Sequence, residues 1–229
     1  MTERRKKKAK SSSPAEYREN LKPITKGHAD YIRSMSENIV TFCTGPAGCS
    51  KSYSVLGLAS QYLLEEKVER IIIARPAVEA SKKGIGFLPG GLQEKFNPYV
   101  QPAIEHLQRF LGKNTYSQLR ASDRIRMEPL EFLRGKTFDN SFIIGEEFQN
   151  AETEQIIMFV SRIGKNSKLV LNGDANQTDI LSYKELTDFE YVINKVEKSK
   201  LKDFGIVRLG KEDIVRHPII APFLTLFNK

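Results

Sequence analysis

The sequence predicts one α/β domain, in which a parallel sheet of about five strands has helices on both faces. Short runs rich in β-branched residues alternate along the chain with segments whose apolar residues recur at helical spacing. Such alternation is typical of parallel sheets with crossover helices. The chain has 229 residues, 40% hydrophobic and 28% charged, which is enough for a core of ordinary size. We find no internal repeat.

The strand signals are short apolar runs that end next to glycine, proline or acidic residues. NIVTFC (38–43) leads directly into a glycine-rich loop, RIIIAR (70–75) ends at Pro76, and FIIGEE (142–147) ends in two glutamates. Two further strands are predicted at 168–174 and 205–209.

Helical periodicity fills most of the segments between these strands. One or two short helices are predicted within 15–35, and another helix near the C-terminus. Residues 76–92 contain four glycines and two prolines and predict a loop, whereas the polar residues 112–124 predict a surface connection. The remaining helices are predicted at 52–66, 93–111, 153–163 and 183–198.

The composition argues against membrane and secreted proteins. The longest nearly apolar run, at 219–227, is about half the length that a membrane span needs. No signal-peptide pattern follows the N-terminus, and Cys43 and Cys49 suit neither a disulfide framework nor a zinc site. We therefore expect a protein of a reducing cytoplasm, without membrane contact.

The first residues carry much of the net charge of +8. Residues 1–10 hold six Lys/Arg against one Glu, and serines and a proline follow. A segment of this composition cannot bury apolar surface, so residues 1–14 are predicted to be a disordered basic arm ahead of a domain at 15–229. Such an arm suits nucleic-acid phosphates, although a solubility tail has the same composition.

The stretch TGPAGCSKSY (44–53) resembles the phosphate-binding pattern G-x-x-x-x-G-K-[ST], with Ser50 where the pattern has glycine. It stands between a predicted strand and a predicted helix, where backbone N–H groups and the helix N-terminus can face phosphates. Lys51 would reach the β- and γ-phosphates and Ser52 would bind Mg²⁺. If position 50 needs a conformation that favours glycine, its serine costs on the order of 1 kcal/mol. The residues expected at the nucleotide are Gly45, Pro46, Ala47, Gly48, Cys49, Ser50, Lys51, Ser52 and Tyr53.

Two acidic residues end the third strong strand signal, in FIIGEEFQN. Glu146 is the candidate metal ligand, and Glu147 is the candidate general base for the attacking water. Alone, the pair would more often be a strand-end charge pair that faces solvent. The phosphate-binding pattern upstream favours the functional interpretation.

A third polar element, NGDANQTD (172–179), follows the fourth strand signal. An Asp and a Gln at a strand end can orient water and contact a γ-phosphate. Gln177 is the candidate for this role.

Together these motifs resemble the PhoH-like ATPases over about residues 20–218. The resemblance rests on GPAGCSKS, on RPAVEASKKGIGFLPGGLQEKFNPYVQP (75–102), on PLEFLRGKTFDNSFIIGEEFQN (129–150), on SRIG, on GDANQTDI and on IVRHP. It implies a single RecA-like domain similar to the core of superfamily 1 helicases, with ATP and Mg²⁺ as cofactors. Because the chain has little beyond this core, it looks like a bacteriophage member, which would place it in the host cytoplasm.

The resemblance also implies roles for residues outside the three motifs. His28 stands where relatives carry a glutamine that reads adenine, although a surface position is an equal alternative. Arg216 and Arg162 are candidates for a charge-stabilising arginine supplied by a neighbouring subunit, which implies a ring, expected to be a hexamer. Relatives usually have Gly, Asp, Ala and Gln where this chain has Ser50, Glu146, Phe148 and His28.

Three classes of function stay open. The leading one is a ring-forming Mg²⁺-dependent ATPase coupled to single-stranded nucleic acid, with RNA favoured over DNA. The four departures favour a nucleotide-binding assembly protein with little turnover. A small-molecule kinase is the third class, and the absence of an arginine-rich lid segment argues against it. The sequence leaves strand separation undecided.

Overall fold

The computed structural model describes residues 18–76, 92–174 and 186–215, with side chains from residue 98 onward in the second range. Several predicted features lie outside these ranges: the basic arm, residues 77–91 of the loop predicted at 76–92, Gln177, Arg216 and the predicted C-terminal helix.

The described residues form one sheet of six parallel strands, in the order β3-β2-β4-β5-β1-β6. The five predicted strands are confirmed. The strands are β1 Val40–Thr44, β2 Arg70–Arg75, β3 Ile125–Pro129, β4 Ser141–Gly145, β5 Lys168–Gly173 and β6 Phe204–Arg208.

One strand and one helix, β3 and α4 (Lys113–Ala121), were not predicted from the sequence. The edge strand β3 alternates buried Ile125 and Met127 with the half-buried charged Arg126 and Glu128, which gives a weak apolar signal. The segment 112–124, predicted as a surface connection, is mainly helix α4, and Tyr116 is its one buried residue. A mostly polar sequence thus forms a helix that contributes one buried side chain, Tyr116, and the partly buried Leu119 to the core.

Helices cover both faces of the sheet. One core cluster joins residues of α1 (Lys26–Glu37), α2 (Lys51–Leu64), α3 (Leu92–Leu111) and α4 to one face. A second cluster joins α5 (Thr153–Val160) and α6 (Asp188–Ser199) to the other. None of the described helices is long and apolar enough to cross a membrane.

The strand order creates a crevice at the carboxyl edge of the sheet. From β1 the chain crosses to β2 on one side, whereas from β5, the neighbour of β1, it crosses to β6 on the other side. Ligands of open parallel sheets bind at such a switch point. The loop after β1 and the residues after β4 and β5 therefore share one edge.

Candidate active site

The loop between β1 and α2 folds as the phosphate-binding pattern requires. Gly48 has φ 89°, and Ser50, just before the helix begins at Lys51, has φ 55° and ψ 30°. Both values lie in the left-handed region, where glycine is favoured. This confirms that position 50 has a glycine-type conformation, and the serine there is strained.

Lys51 lies across its own loop. Its Nζ donates to the carbonyl oxygens of Gly45 and Pro46, at 2.5 and 3.1 Å. Cys49 is buried beside it, with its Sγ 3.6 Å from the same Nζ. Cys43 and Cys49 are both free thiols, and burial raises the pKa of each.

Glu146 follows β4 directly and is bound by donors from two other elements. Ser52 Oγ donates to its Oε2 at 2.8 Å, and Asn172 Nδ2 lies 3.3 Å from its Oε1. Asn172 Oδ1 in turn accepts from the hydroxyl of Tyr31 on α1, at 2.5 Å. Burial, and then the neighbouring Glu147, raise the pKa of Glu146 to about 7. Glu146 is only 9% exposed, so the alternative of a solvent-facing residue is wrong for it.

Glu147 has a different environment from Glu146. Its side chain is 43% exposed, and its φ of 58° is left-handed. Gln149 Nε2 donates to Glu147 Oε2 at 2.6 Å, while Gln149 Oε1 accepts from the backbone N–H of Asp174 at 3.0 Å. Arg75, at the end of β2, places Nη2 4.0 Å from Glu147 Oε1. The carboxylate is thus oriented by its neighbours and accessible to a water molecule, from which a general base would take a proton.

A cavity of about 590 Å³ is lined by Ser50, Lys51, Ser52, the two glutamates and Asn172. The lining also includes Asp174 and Tyr53, and the Tyr53 hydroxyl donates to Glu19 at 2.9 Å. The remaining lining includes the exposed apolar side chains of Ile24 and Val215 and the α3 residues His106 and Arg109.

Hydrogen bonds fix the segments that carry Ile24 and Val215. Thr25 Oγ1, at the start of α1, donates to Asp213 Oδ1 at 2.5 Å. The backbone N–H of Val215 donates to the Gly48 carbonyl at 3.0 Å. The segments before α1 and after β6 are therefore joined beside the loop.

His28 and Arg162 lie away from the cavity lining. His28 is 1% exposed, so its alternative as a surface residue is wrong, and its Nε2 lies 3.0 Å from the Cys49 carbonyl. Arg162 lies beside Phe138, ahead of β4 and hence at the opposite edge of the sheet, and donates to the carbonyls of Met158 and Lys136. His28 supports the loop from behind, and Arg162 ties α5 to the chain before β4.

Three residues that contact the two glutamates were not predicted as site residues from the sequence, namely Asn172, Gln149 and Arg75. Asn172 belongs to the buried strand β5, and a polar residue within an apolar run was the available signal. Gln149 and Arg75 stand within motifs that were recognised, but the contact of Gln149 with Asp174 and that of Arg75 with Glu147 join residues that end or follow different strands. These two contacts depend on strand order, which no local pattern encodes, whereas the contact of Gln149 with Glu147 is local.

The donor set suits Mg²⁺ bound together with a nucleotide. Mg²⁺ prefers oxygen ligands and usually takes one or two from protein, the rest from phosphates and water. Ser52 and Glu146 supply a hydroxyl and a carboxylate 2.8 Å apart. Within the described ranges, no group of three or more His, Cys, Asp or Glu side chains could hold a metal ion. The site thus fits a metal that arrives with a phosphate ligand.

Comparison with known sequences agrees with this geometry. The family model described as PhoH-like protein matches residues 20–228. The chain belongs to the PhoH-like family. It is 35% identical over 201 residues to a PhoH-like protein of Synechocystis, 33% identical over 210 residues to one of Bacillus subtilis, and 35% identical over 200 residues to Protein PhoH of Escherichia coli.

These matches cover 87%, 92% and 86% of this PhoH-like chain, but 60%, 65% and 55% of the respective relatives. The chain thus spans less than two thirds of their length. All three are bacterial, so the bacteriophage origin stays a prediction.

Solved structures share the fold of this PhoH-like protein. The large terminase of a thermophilic bacteriophage matches with a TM-score of 0.54 and 10% identity, over 91% of this chain and 51% of that one. The UvsW helicase of bacteriophage T4 matches with a TM-score of 0.50 and 14% identity, over 86% and 64%. Family and fold are those of a P-loop nucleotide-binding protein.

Proposed function

We propose that this PhoH-like protein binds and hydrolyses ATP with Mg²⁺ in the cavity beside the loop 45–50. The observation that carries the proposal is the 2.8 Å hydrogen bond between Ser52 and Glu146. It joins the first turn of the helix after the loop to the end of β4, where a divalent cation with phosphate ligands would be held. Lys51, one residue earlier, supplies a positive charge at the same helix N-terminus.

The chain's own groups account for the steps of hydrolysis. Lys51 would exchange the Gly45 and Pro46 carbonyls for β- and γ-phosphate oxygens. Glu147 would accept a proton from water as the water oxygen bonds to the γ-phosphorus and the bond from that phosphorus to the bridging oxygen breaks. ADP then leaves with the bridging oxygen. Bound Mg²⁺ would neutralise charge on the phosphates, and Gln177 remains the candidate that senses the γ-phosphate.

The base of the nucleotide would lie between apolar and aromatic side chains. Ile24 and Val215 are 56% and 39% exposed, and both line the cavity with Tyr53. An aromatic ring and two aliphatic side chains offer contact area without reading the edge of a base. His28 lies behind the loop and does not line the cavity, so it cannot contact the nucleotide base from its present position. We therefore expect weak selectivity for adenine.

A further part of the proposal concerns assembly and nucleic acid. A ring, expected to be a hexamer, would let one subunit supply an arginine to the next, and we favour Arg216 because Arg162 already binds two backbone carbonyls. We propose that the ATPase acts on single-stranded nucleic acid, with RNA favoured over DNA. The basic residues at 4–10 support binding to nucleic-acid phosphates.

One alternative is supported by specific observations. The strained Ser50 and the glutamate at position 146 sit where nucleotide and metal would bind, and both could slow turnover. The chain would then be a nucleotide-binding assembly protein in which ATP sets the oligomeric state.

Phosphate release from ATP with Mg²⁺ tests the proposal, with and without single-stranded RNA or DNA. We expect turnover that Lys51→Ala abolishes and that Lys67→Ala, at an exposed lysine outside the cavity, leaves intact. Nucleotide binding without turnover, together with a change of oligomeric state on binding, would favour the alternative function as an assembly protein. Equal nucleotide binding by wild type and Lys51→Ala would overturn the proposal.

A further inference from the structure

Three buried side chains form a hydrogen-bonded chain behind the candidate metal ligand. Tyr31, Asn172 and Glu146 are 0%, 1% and 9% exposed. They belong to three elements: helix α1, strand β5 and the end of β4. The chain therefore connects parts of the fold that are distant in sequence and meet only at this site.

The direction of each hydrogen bond follows from the chemistry of the groups. When Glu146 is ionised, as a metal ligand is, its carboxylate can only accept, so the Asn172 amide turns Nδ2 toward Glu146 and Oδ1 toward the Tyr31 hydroxyl. The distances are 3.3 and 2.5 Å. The Tyr31 hydroxyl thus holds the amide by its oxygen, and the amide nitrogen holds one carboxylate oxygen of Glu146.

The two oxygens of Glu146 consequently have different tasks. Oε1 faces Asn172, and Oε2 faces Ser52. A glutamate side chain has three rotatable bonds, so its carboxylate needs a second contact to hold one oxygen in place. Asn172 is that contact.

We propose that Asn172 is a positioning residue, which holds Glu146 so that Oε2 stays beside Ser52 for the cation, and that Tyr31 secures Asn172. The inference rests on the proposed function, because it assumes that Ser52 and Glu146 bind Mg²⁺ with a nucleotide. Groups that hydrogen-bond a metal-binding carboxylate typically change metal affinity or activity about 10- to 100-fold when they are removed.

Helix α1 contacts the site at two points. His28 Nε2 lies 3.0 Å from the Cys49 carbonyl in the loop, and Tyr31, three residues later, reaches Asn172. The same helix therefore supports the phosphate-binding loop and, through Asn172, the carboxylate. The substitution Tyr31→Phe removes the contact with Asn172 and leaves the contact of His28 with the loop in place.

The test measures binding of a fluorescent ATP analogue as Mg²⁺ is titrated. For Asn172→Ala we expect the Mg²⁺ concentration at half-saturation to rise about 10- to 100-fold, with affinity for the Mg²⁺-free nucleotide within about twofold of wild type. Tyr31→Phe, which keeps every carbon atom of the side chain, should shift the same midpoint by a smaller factor. Tyr116→Phe, which removes a hydroxyl from a buried tyrosine on α4, should leave it unchanged.

A double-mutant cycle with Glu146→Asp separates positioning from general damage. The aspartate side chain is one methylene shorter, so its carboxylate withdraws from Asn172. In the Glu146→Asp background, Asn172→Ala should therefore raise the Mg²⁺ concentration at half-saturation by less than about threefold. Coupling of this kind is what residues in contact display. Thermal unfolding of each metal-free variant would report any loss of folded protein.

The outcomes are distinct. An unchanged Mg²⁺ midpoint in both Asn172→Ala and Tyr31→Phe would overturn the inference, as would an equal cost of Asn172→Ala with and without Glu146→Asp. Failure of the proposed function would appear in the wild type, as nucleotide binding that does not respond to Mg²⁺, and would remove this inference with it.

Discussion

Ser52 donates a 2.8 Å hydrogen bond to Glu146, although the two residues are 94 positions apart in the chain. The contact forms because α2 begins after the short loop that follows β1, Glu146 directly follows β4, and the carboxyl ends of parallel strands share one edge of the sheet. It fixes the place where a cation would meet a nucleotide phosphate.

This contact predicts the phenotype of Ser52→Ala. The variant should lose Mg²⁺-dependent tightening of ATP binding, because one protein oxygen is removed, and should bind Mg²⁺-free ATP nearly as wild type does. We expect the binding free energy of ATP with Mg²⁺ to weaken by about 1.5–3 kcal/mol, the range for a hydrogen bond to a charged group. Isothermal titration with and without Mg²⁺ measures it. Ser54→Ala, two residues later on α2, is the control, and an equal loss there would contradict the prediction.

The left-handed conformation of Ser50 predicts a stabilising substitution. Ser50→Gly removes the steric cost of a side chain at φ 55°, so the free energy of unfolding should rise by up to about 1 kcal/mol. Denaturant unfolding without nucleotide is the measurement. Ser36→Gly is the matched control, since Ser36 is exposed within α1, where glycine costs about 0.5–1 kcal/mol. Destabilisation by both substitutions would mean that Ser50 carries no strain.

Much of the fold was predictable because its signals are local. Each strand of the sheet interior is a short apolar run, and the loop 45–50 is recognisable by its glycines and by Lys51. The edge strand β3 was not predicted because Arg126 and Glu128 interrupt its apolar pattern. Helix α4 was not predicted because Tyr116 is its one buried residue and only Leu119 joins it at the core.

The site was predictable only in part, for a related reason. Glu146 and Ser52 could be paired from their positions after two strands of one sheet. The contact of Glu146 with Asn172 requires β5 to lie between β4 and β1, and this order is set by packing of the whole domain. The inward turn of His28 toward Cys49 is likewise a matter of tertiary packing.

The exposed position of Glu147 predicts a defect in turnover but not in binding. Glu147→Gln should lower kcat by about 10²–10⁴, the usual contribution of a general base, while the Kd for ATP stays within a few-fold. Single-turnover hydrolysis and equilibrium binding separate the two quantities. Glu128→Gln changes a carboxylate at the end of a different strand, paired with Lys136, and should leave both unchanged. Undiminished hydrolysis by Glu147→Gln would remove this residue from the role of base.

The basic arm predicts a change in salt dependence. Deleting residues 2–10 removes six positive charges, so binding to single-stranded RNA should weaken and the slope of log K against log salt should become shallower, by about 0.7 for each phosphate that the arm no longer neutralises. Fluorescence anisotropy at several salt concentrations measures this slope. ATP binding without RNA should stay as in the full chain and serves as the control. An unaltered slope would identify the arm as a solubility tail.

Asp213 predicts a pH-dependent contribution to stability. Its burial alone would raise the pKa, but hydrogen bonds from the Thr25 hydroxyl and the Gly210 N–H lower the pKa below its ordinary value. A carboxylate with a lowered pKa stabilises the folded state above its ordinary pKa, and this contribution is lost as pH falls through the folded-state pKa. Asp213→Asn should therefore destabilise the protein by about 1–3 kcal/mol at pH 7.

Unfolding in denaturant from pH 7 down to about pH 3 measures this effect, and the difference between Asp213→Asn and wild type should shrink below about pH 4, near the ordinary pKa of aspartate. Because Asp213 also joins the segments that carry Ile24 and Val215, the variant should bind ATP more weakly at pH 7. Asp203→Asn, in the turn before β6 and outside the cavity, should leave ATP binding unchanged. A pH-independent loss of stability with unchanged ATP affinity would contradict the prediction. The contact between Asp213 and Thr25 would then neither stabilise the ionised carboxylate nor hold the cavity wall in place.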